Sequence, residues 1–271
     1  MIGIILAGGY AKRLWPLTLD RPKPLLPLRG RVIIDYALDT IAFSNSIIRK
    51  VIVLTSSSFQ PQFEEWAQAK GRHEIEILSD GSLSEEDKPG AVGALASISP
   101  HINEDFLVIA GDCIYPTDAK GLLQCFRKRN APVVGIYHAR NIDQVKRGSA
   151  VMLDSDNTIV SFVEKPENPT TDLVGAVIYA FPSRMTDRLK EYFELGLARD
   201  EPGRFIEWLH KRENVYGYVL RNCLWDIGTP ESYRAAEEHF SREADCRARS
   251  CSRSRGKLAS LREITWRDDA S

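Results

Sequence analysis

A stretch near the start of the sequence combines flexible backbone with positive charge. Gly8 and Gly9 follow the apolar segment 1–7, and the cations Arg13 and Lys23 come shortly after them. Adjacent glycines expose backbone N–H groups that can line a concavity for phosphate oxygens. Arg13 offers a bidentate fork and Lys23 a compact point charge for the same kind of group. The pattern predicts a phosphate-binding loop.

Two prolines bear on how Lys23 is held. Pro22 and Pro24 fix their own φ and bias the residues before them towards extended backbone, so we expect Lys23 in an extended, restrained segment. Neither GxxxxGK(S/T) nor GxGxxG occurs, which excludes the two best-known phosphate loops. A glycine pair alone is more often a simple turn, but the spaced set of glycines and cations favours phosphate binding.

The segments around this loop alternate between strand and helix patterns. Buried-strand runs occur at 2–7, 50–56, 74–80, 106–112 and 132–139. Helical spacing of apolar residues lies between them at 33–43, 59–70, 91–99 and 119–129. This alternation predicts an α/β fold with a mostly parallel sheet covered on both faces. Ligands of such sheets bind at the carboxyl ends of the strands, where the glycine loop falls.

The pattern changes after residue 140. A hairpin of two apolar strands around a polar turn is predicted at 149–166, and further strands at 172–181 and 215–220. Helices are predicted at 182–194, 205–212 and 230–240. We expect this subregion, about 140–235, to cover one side of the ligand cleft.

Composition excludes several other classes of protein. A net charge of -1 over 271 residues gives no basis for general nucleic-acid binding. No apolar run approaches the ~20 residues of a membrane helix, and the first residues lack a charged leader, so we expect a cytoplasmic protein without a membrane partner. The five cysteines form no CxxC pair and the five histidines no HxH or HExxH pattern, which argues against disulfide and zinc sites.

The end of the sequence differs from the rest. Residues 241–271 have few large apolar side chains and many arginines, which is typical of a solvated, poorly ordered tail. Interspersed aspartates and glutamates dilute the positive charge, so a nucleic-acid arm is the weaker interpretation. We delimit a folded domain at 1–240 and an Arg-rich tail at 241–271.

The stretch LAGGYAKRLWPLTLDRPKPLLPL, residues 6–28, resembles the signature of the sugar nucleotidylyltransferases, the nucleoside-diphosphate-sugar pyrophosphorylases. The similarity continues through AGDCIY, FVEKP and LWDIGTPESY, and is greatest to the glucose-1-phosphate thymidylyltransferases. Ala11 stands where the family usually has glycine, which predicts a stiffer loop. The resemblance implies a Rossmann-like three-layer α/β/α fold with a central mixed sheet and a sugar-binding hairpin.

The resemblance also implies a reaction. A nucleoside triphosphate and a sugar 1-phosphate would give a nucleoside-diphosphate sugar and pyrophosphate, with dTTP or UTP and glucose 1-phosphate favoured. In-line attack of the sugar phosphate on the α-phosphorus needs no enzyme nucleophile. The enzyme then has to position the two substrates and stabilise the charge that develops in the transition state. Arg13 would hold the pyrophosphate and Lys23 would stabilise the α-phosphate. The nucleotide would contact Leu6, Ala7, Gly8, Gly9, Asp80 and Gly90.

Two aspartates are candidates for holding a metal. Asp112 ends the predicted strand 106–112, and Asp226 follows an apolar run in LWDIGT. Either one alone fits a turn or a helix cap equally well. Two carboxylates plus substrate phosphates are a usual way to hold Mg²⁺, and the resemblance carries that role onto both positions. We therefore expect Mg²⁺ as the cofactor.

Glu164 and Lys165 end the second strand of the predicted hairpin. On spacing alone they form an exposed strand end of little energetic value. The resemblance assigns Glu164 to the sugar ring and Lys165, a third catalytic cation, to the sugar phosphate. Gly148 would let the sugar approach the backbone, and Arg147 stands where the family usually has tyrosine.

Base recognition is where the sequence departs from the family. Thymidylyl- and uridylyltransferases commonly carry a glutamine that segment 79–98 lacks. Ser79 and Asp80 are candidate base readers, with Gly90 and Gly93 close to the base or ribose, and an acidic surface loop is the alternative. Val177 replaces a glycine that lines the sugar pocket in relatives, which predicts a narrower pocket.

These departures leave alternatives open. The nucleotide could be CTP or GTP, and the acceptor another phosphorylated compound. A non-catalytic regulatory paralogue also fits the fold, although it would be expected to lose Lys23 or an aspartate. Relatives are often oligomers, so a homo-oligomer is a further alternative to a monomer.

Overall fold

A computed structural model of the chain describes residues 1–42, 47–72, 74–115, 119–221 and 224–240. The predicted tail, 241–271, lies outside these ranges. Within them, no helix is both long enough and apolar enough to cross a membrane.

Thirteen strands, eight α-helices and three short 3-10 helices make up this part of the chain. The strands are β1 (Ile2–Leu6), β2 (Pro27–Leu28), β3 (Arg31–Val32), β4 (Lys50–Thr55), β5 (Ile75–Ser79), β6 (Phe106–Ala110), β7 (Cys113–Ile114), β8 (Val133–His138), β9 (Ser149–Leu153), β10 (Ile159–Glu164), β11 (Leu173–Phe181), β12 (Tyr216–Val219) and β13 (Trp225–Asp226). The helices are α1 (Ile33–Ala42), α2 (Gln60–Lys70), α3 (Gly90–Ser97), α4 (Lys120–Arg129), α5 (Ile142–Arg147), α6 (Met185–Glu194), α7 (Pro202–Leu209) and α8 (230–240).

Seven of these strands form the central sheet, in the spatial order β12-β8-β11-β6-β1-β4-β5. β1 pairs in parallel with β4 and β6, and β5 and β12 are also parallel to their neighbours. β11 is antiparallel to both β6 and β8. The predicted mixed, mostly parallel sheet is confirmed.

Helices cover both faces of the sheet, which explains why its strands read as nearly continuous apolar runs. Ile5 of β1 faces a core layer built with α1, α2 and α4. Ile2 and Ile4 face the opposite layer, built with α3, α6 and α7. The predicted three-layer α/β/α arrangement is therefore confirmed.

The second half of the chain supplies the predicted hairpin. β9 and β10 pair antiparallel as a separate two-stranded sheet, and α7 packs against β10. Val151 and Phe162 on its inner side are fully buried. The sequence patterns did not predict α5, which begins where the Asn141 side chain accepts a hydrogen bond from the Gln144 N–H at 3.0 Å.

Candidate active site

A cleft of about 610 Å³ lies at the carboxyl ends of the parallel strands. It is lined by every residue predicted for the site in the nucleotide, metal and sugar groups: Leu6, Ala7, Gly8, Gly9, Arg13, Lys23, Asp80, Gly90, Asp112, Gly148, Glu164, Lys165 and Asp226. Ser79 and Gly93 are not part of the lining. The Ser79 hydroxyl bonds that of Ser57 at 2.6 Å, and Gly93 packs against Pro89.

The glycine loop begins where β1 ends. An added Cβ on Gly9 would meet nothing within 4 Å, so this backbone faces open space in the cleft. At Gly8 an added Cβ would lie 3.3 Å from a carboxylate oxygen of Asp80. Ala11 has φ +47°, in the left-handed region, which costs an alanine about 1–2 kcal/mol relative to glycine. The hydroxyl of Thr18 donates to the Ala11 carbonyl at 2.9 Å and fixes the loop.

Lys23 lies in a tight turn, which corrects the expectation of extended backbone. Lys23–Leu25 form one turn of 3-10 helix, closed by the Leu25 N–H on the Pro22 carbonyl at 2.9 Å and the Leu26 N–H on the Lys23 carbonyl at 3.0 Å. Pro22 before the turn and Leu26 after it have extended backbone. The i→i+3 hydrogen bonds overrode the local bias of the prolines. The Lys23 side chain lines the cleft and is only 6% exposed, so the turn places it at the bottom of the cleft.

Lys23 bridges the two aspartates. Its Nζ lies 2.9 Å from Asp112 and 3.8 Å from Asp226. Burial disfavours the ammonium, but the charges of the two carboxylates outweigh burial and raise the pKa of Lys23. The lysine is therefore a fixed positive charge at the floor of the cleft.

The two carboxylates respond in opposite directions. Burial opposes ionisation of Asp112, but the nearby ammonium and its hydrogen bond prevail and lower the pKa of this group. Desolvation inside the cleft raises the pKa of Asp226, against the pull of Lys23, and the charge of Asp112 adds to the rise. The charges of Arg147 and Arg13 also favour the Asp226 carboxylate. The two pKa values shift in opposite directions because Lys23 is nearer to Asp112 than to Asp226 and stabilises the Asp112 carboxylate more.

The arrangement fits a hydrated Mg²⁺ ion. β7 and β13 pair so that Asp226 lies opposite Cys113, which brings its carboxylate beside Asp112. The two side chains are 39% and 64% exposed, so oxygens not engaged by Lys23 face the cleft. Within the described ranges, no cluster of three or more His, Cys, Asp or Glu residues could enclose a metal. Two carboxylates with water and phosphate completing the shell are typical of Mg²⁺.

The opposite wall of the cleft holds the predicted sugar residues. The Lys165 N–H donates to the Gly148 carbonyl at 2.7 Å, and Lys165 has φ +51°. Its ammonium is ion-paired with Glu201, at the start of α7. Val177, which the resemblance places at the sugar pocket, also lines the cleft.

Glu164 is a buried carboxyl, 9% exposed. Burial and the charge of Glu201 raise its pKa to about 7, although Lys165 and Arg204 pull the other way. A Cβ added to Gly203 would lie 1.9 Å from the carboxylate, so only glycine lets α7 approach this closely. At neutral pH this carboxyl can both donate and accept hydrogen bonds, which suits sugar hydroxyls.

Five charged residues of the cleft were missed by sequence reasoning: Lys12, Glu85, Lys88, Asp200 and Glu201. Glu85 lies 3.1 Å from Lys88 and 3.7 Å from Lys12. Asp87 shapes this loop by accepting the N–H groups of Leu83 and Ser84 at 3.0 and 2.7 Å. The run of acids before Lys88 was the available signal, but its composition equally suited a solvated loop.

Comparison with known proteins is consistent with this geometry. The family model described as nucleotidyl transferase matches residues 2–243. A bifunctional protein GlmU of Methanocaldococcus jannaschii is 28% identical over 240 residues, 89% of this chain and 54% of that protein. A mannose-1-phosphate guanylyltransferase of Mycobacterium tuberculosis is 31% identical over 235 residues, 85% of this chain and 62% of that protein. The chain thus spans less than two thirds of the length of these curated relatives.

Two solved structures share the fold. A Bacillus anthracis protein described as a glucose-1-phosphate thymidylyltransferase superposes with a TM-score of 0.75 at 22% identity, covering 88% of this chain and 94% of that one. A UDP-glucose pyrophosphorylase bound to UDP-glucose gives a TM-score of 0.75 at 18% identity, covering 89% and 98%. At these levels of sequence identity, the two superpositions show that the fold is shared.

Proposed function

The chain belongs to the nucleotidyl transferase family, and we propose that it transfers a nucleotidyl group from a nucleoside triphosphate to a sugar 1-phosphate. The products are a nucleoside-diphosphate sugar and pyrophosphate. One observation carries the proposal: a buried lysine bridges two carboxylates on the floor of a cleft, between a glycine loop and a wall bearing Glu164 and Lys165. Charge stabilisation and positioning are what in-line phosphoryl chemistry requires.

Residues of the first wall bind and orient the triphosphate. The open backbone at Gly8 and Gly9 accommodates phosphate oxygens, and Arg13 holds the departing pyrophosphate. Lys23, fixed by its turn and its two partners, neutralises charge that develops around the α-phosphorus. The attacking oxygen belongs to the sugar phosphate, which is already an anion, so no side chain has to remove a proton from it.

Residues of the opposite wall bind the acceptor. Lys165 exchanges its ion pair with Glu201 for the sugar phosphate, and Glu164 bonds the sugar hydroxyls. The backbone at Gly148 lets the ring come close. Asp112 and Asp226 would hold Mg²⁺, which, when bound, offsets the negative charge of the phosphates.

The names of the relatives differ in nucleotide and in sugar, and include glucose, mannose, thymidylyl, uridine and guanylyl compounds. The sequence signature favours a hexose phosphate, glucose 1-phosphate first, with dTTP or UTP. A guanylyltransferase is the second candidate, because the 31% identical relative bears that name and segment 79–98 lacks the glutamine.

The test is pyrophosphate release with Mg²⁺ across five nucleoside triphosphates, each combined with glucose, galactose, mannose and N-acetylglucosamine 1-phosphates and phosphocholine. We expect turnover with a hexose phosphate. Turnover confined to phosphocholine would overturn the sugar assignment but keep the transfer reaction. Nucleotide binding with no turnover in any combination would favour a regulatory paralogue instead.

Two variants sharpen this test. Asp226→Asn keeps the shape of the side chain but loses its charge, so we expect turnover to fall about 100-fold or more. Asp156→Asn is the matched control, because Asp156 is 74% exposed and lies outside the cleft. Equal activity of the two variants would contradict the assigned role of Asp226.

A further inference from the structure

Most cations that line the cleft are neutralised within the chain. Four of them form ion pairs with carboxylates of the described residues: Lys12, Lys23, Lys88 and Lys165. Two arginines, Arg13 and Arg147, also line the cleft. Across the described ranges, their guanidinium groups form no ion pair and no hydrogen bond. Both groups are therefore available to a ligand.

Arg147 is the one of these two arginines without a role in the proposed function. An unpaired arginine on an open surface is ordinary. Arg147, however, is exposed within the cleft that also holds the glycine loop and the two aspartates. Its neighbour Lys146 is exposed as well but is not part of the cleft lining. The end of α5 therefore directs one of two consecutive cations into the cleft.

The backbone that carries Arg147 is held at both ends of α5. The Arg140 N–H donates to the Gln144 side chain at 2.8 Å, just before the helix. After the helix, the Gly148 N–H donates to the Gln144 carbonyl at 3.1 Å. Val145, on the inner side of α5, is buried. Arg147 thus projects from a fixed piece of backbone.

The same helix lies beside the floor of the cleft. The Arg140 guanidinium lies over the Trp225 ring at 4.8 Å, and Trp225 precedes Asp226 in β13. At the other end of α5, the charge of Arg147 favours the carboxylate of Asp226. Arg13 favours the same carboxylate from the loop of the nucleotide wall. The two unpaired guanidinium groups therefore approach Asp226 from opposite walls.

In-line transfer requires positive charge on both sides of the reacting phosphorus. The attacking and leaving oxygens lie opposite each other across the α-phosphorus, and both are negatively charged. Arg13 holds the leaving pyrophosphate in the proposed function. The attacking oxygen belongs to the sugar phosphate, which approaches from the other wall. We propose that Arg147 binds the phosphate group of the sugar 1-phosphate, opposite Arg13. The inference rests on the proposed function and adds a residue to the binding site of its acceptor.

Lys165 and Arg147 would hold that phosphate from two directions. Their backbones are close, because the Lys165 N–H donates to the carbonyl of Gly148, the residue after Arg147, at 2.7 Å. Their side chains have different surroundings, since Lys165 pairs with Glu201 at the start of α7 and Arg147 acts on the floor. Lys165 has to break an ion pair to bind phosphate. Arg147 offers charge-assisted hydrogen bonds without that cost.

The first experiment is calorimetric binding of anions to the full chain with Mg²⁺, using glucose 1-phosphate, mannose 1-phosphate and pyrophosphate as probes. Arg147→Gln should bind the sugar phosphates about 10-fold or more weakly, the typical cost of losing a hydrogen bond to a charged group, and pyrophosphate as tightly as the wild type. Arg13→Gln should show the opposite pattern. Unchanged sugar-phosphate affinity in Arg147→Gln, equal losses for all three anions, or a wild type that binds neither sugar phosphate would overturn the proposal.

Lys146→Gln is the matched control. Lys146 precedes Arg147 and carries the same charge, but it does not line the cleft. We expect its loss to change each affinity by less than about twofold, because solvent and salt screen an exposed charge. Both variants should unfold at the same temperature, since neither substitution removes an ion pair that the structure shows. Parallel losses of affinity in the two variants would contradict a direct contact at Arg147.

A Mg²⁺ titration of turnover separates phosphate binding from an effect on Asp226. For Arg147→Gln we expect KM for the sugar phosphate to rise about 10-fold, with KM for the triphosphate and the Mg²⁺ requirement within about twofold of the wild type. If Arg147 serves only to keep the Asp226 carboxylate ionised, the Mg²⁺ requirement changes and KM for the sugar phosphate does not. That result would overturn the proposal.

Binding and turnover separate the two proposals. A selective loss of sugar-phosphate binding in Arg147→Gln, in a protein that releases pyrophosphate from no substrate pair, would support the role of Arg147 and contradict the transferase proposal. Turnover with an unchanged KM for the sugar phosphate in Arg147→Gln would do the reverse.

Discussion

The two walls of the cleft each carry a glutamate, and the two glutamates lie in opposite environments. Glu85 on the nucleotide wall is 31% exposed and lies between Lys12 and Lys88. Glu164 on the sugar wall is 9% exposed, near the second carboxylate Glu201, with a pKa of about 7. One wall holds a carboxyl ion-paired with two lysines, and the other holds a carboxyl that can donate and accept near neutral pH. In the proposed function, the first wall would face the nucleoside triphosphate and the second the hydroxyl groups of the sugar.

The walls also differ in how the chain builds them. The nucleotide wall comes from two loops that follow neighbouring parts of the sheet, at 6–13 and 80–90. The sugar wall combines the hairpin, β11 and the start of α7, which are far apart in sequence. Gly90 and the 199–201 segment join the walls, because the Val92 N–H donates to the Arg199 carbonyl at 2.9 Å.

Removing the cation on the floor that both walls share should have the largest effect. Lys23→Met leaves Asp112 and Asp226 without their close counter-charge. Because both carboxylates are partly exposed to solvent, we expect stability to fall by about 1–2 kcal/mol, less than for a fully buried ion pair. Turnover should fall about 1000-fold or more if Lys23 stabilises transition-state charge. Urea unfolding and pyrophosphate release measure the two effects.

Lys50→Met is the control for that variant. Lys50 is 45% exposed and ion-paired with Glu76 at the sheet edge, so its loss should cost less than about 1 kcal/mol. Comparable destabilisation by both substitutions would show that Lys23 is no more than a surface charge.

The sugar wall should show a distinctive pH dependence. Because the folded pKa of Glu164 is about 7 and its ordinary value 4.5, the folded protein binds a proton that the unfolded chain has released. Stability is therefore lost as pH rises from about 4.5 to 7, by roughly 3 kcal/mol in total. Glu164→Gln removes this loss, so the variant should gain stability relative to the wild type as pH rises. Urea unfolding at pH 5, 6, 7 and 8 measures the difference, and a pH-independent difference would refute the environment assigned to Glu164.

The junction between the walls should be sensitive to a single methyl group. Gly90 has φ +74°, and an added Cβ would lie 2.5 Å from the Arg199 carbonyl oxygen. Gly30 has φ +76° with nothing within 4 Å of an added Cβ, so Gly30→Ala measures backbone strain alone. We expect about 1 kcal/mol for Gly30→Ala and about 2–3 kcal/mol for Gly90→Ala, because the second adds a collision with backbone. Equal decreases in melting temperature for the two variants would mean that the backbone around Gly90 and Arg199 accommodates the added methyl group without losing stability.

The ion pair across the sugar wall should have the smallest effect. Glu201→Gln frees Lys165 for the sugar phosphate, so we expect KM for that substrate to fall about threefold with kcat unchanged, in line with a partly exposed pair. The hydrogen bond and charge of Lys165 lower the pKa of Glu201, so its modest stabilisation is present above the ordinary pKa of 4.5 and is lost as pH falls. Lys165→Ala should instead raise KM for the sugar phosphate. A change confined to KM for the nucleotide would assign Lys165 to the other wall.

Much of the fold and of the site could be predicted because the relevant signals are local. The apolar runs of β1, β4 and β6 identify buried strands on their own, and the helical spacing of α1 and α2 does the same for the layers above them. The glycine loop could be predicted for the same reason, since consecutive residues determine its backbone freedom and its charge. Asp112 could be placed at the cleft because it follows directly after a buried strand.

The remainder depended on segments that meet only in the folded chain. The antiparallel insertion of β11 between β6 and β8, and the 3-10 turn that buries Lys23, follow from long-range pairing and packing that override local preference. The pKa of Glu164 is set by burial against α7 and by Glu201, and the ion pair between Glu85 and Lys12 forms only because two distant loops meet at the cleft. The sequence by itself determined which chemical groups are available and where the strands end. Only the tertiary structure decided which of those groups are desolvated and paired, because desolvation and charge interactions depend on distances in space and not on separation along the chain.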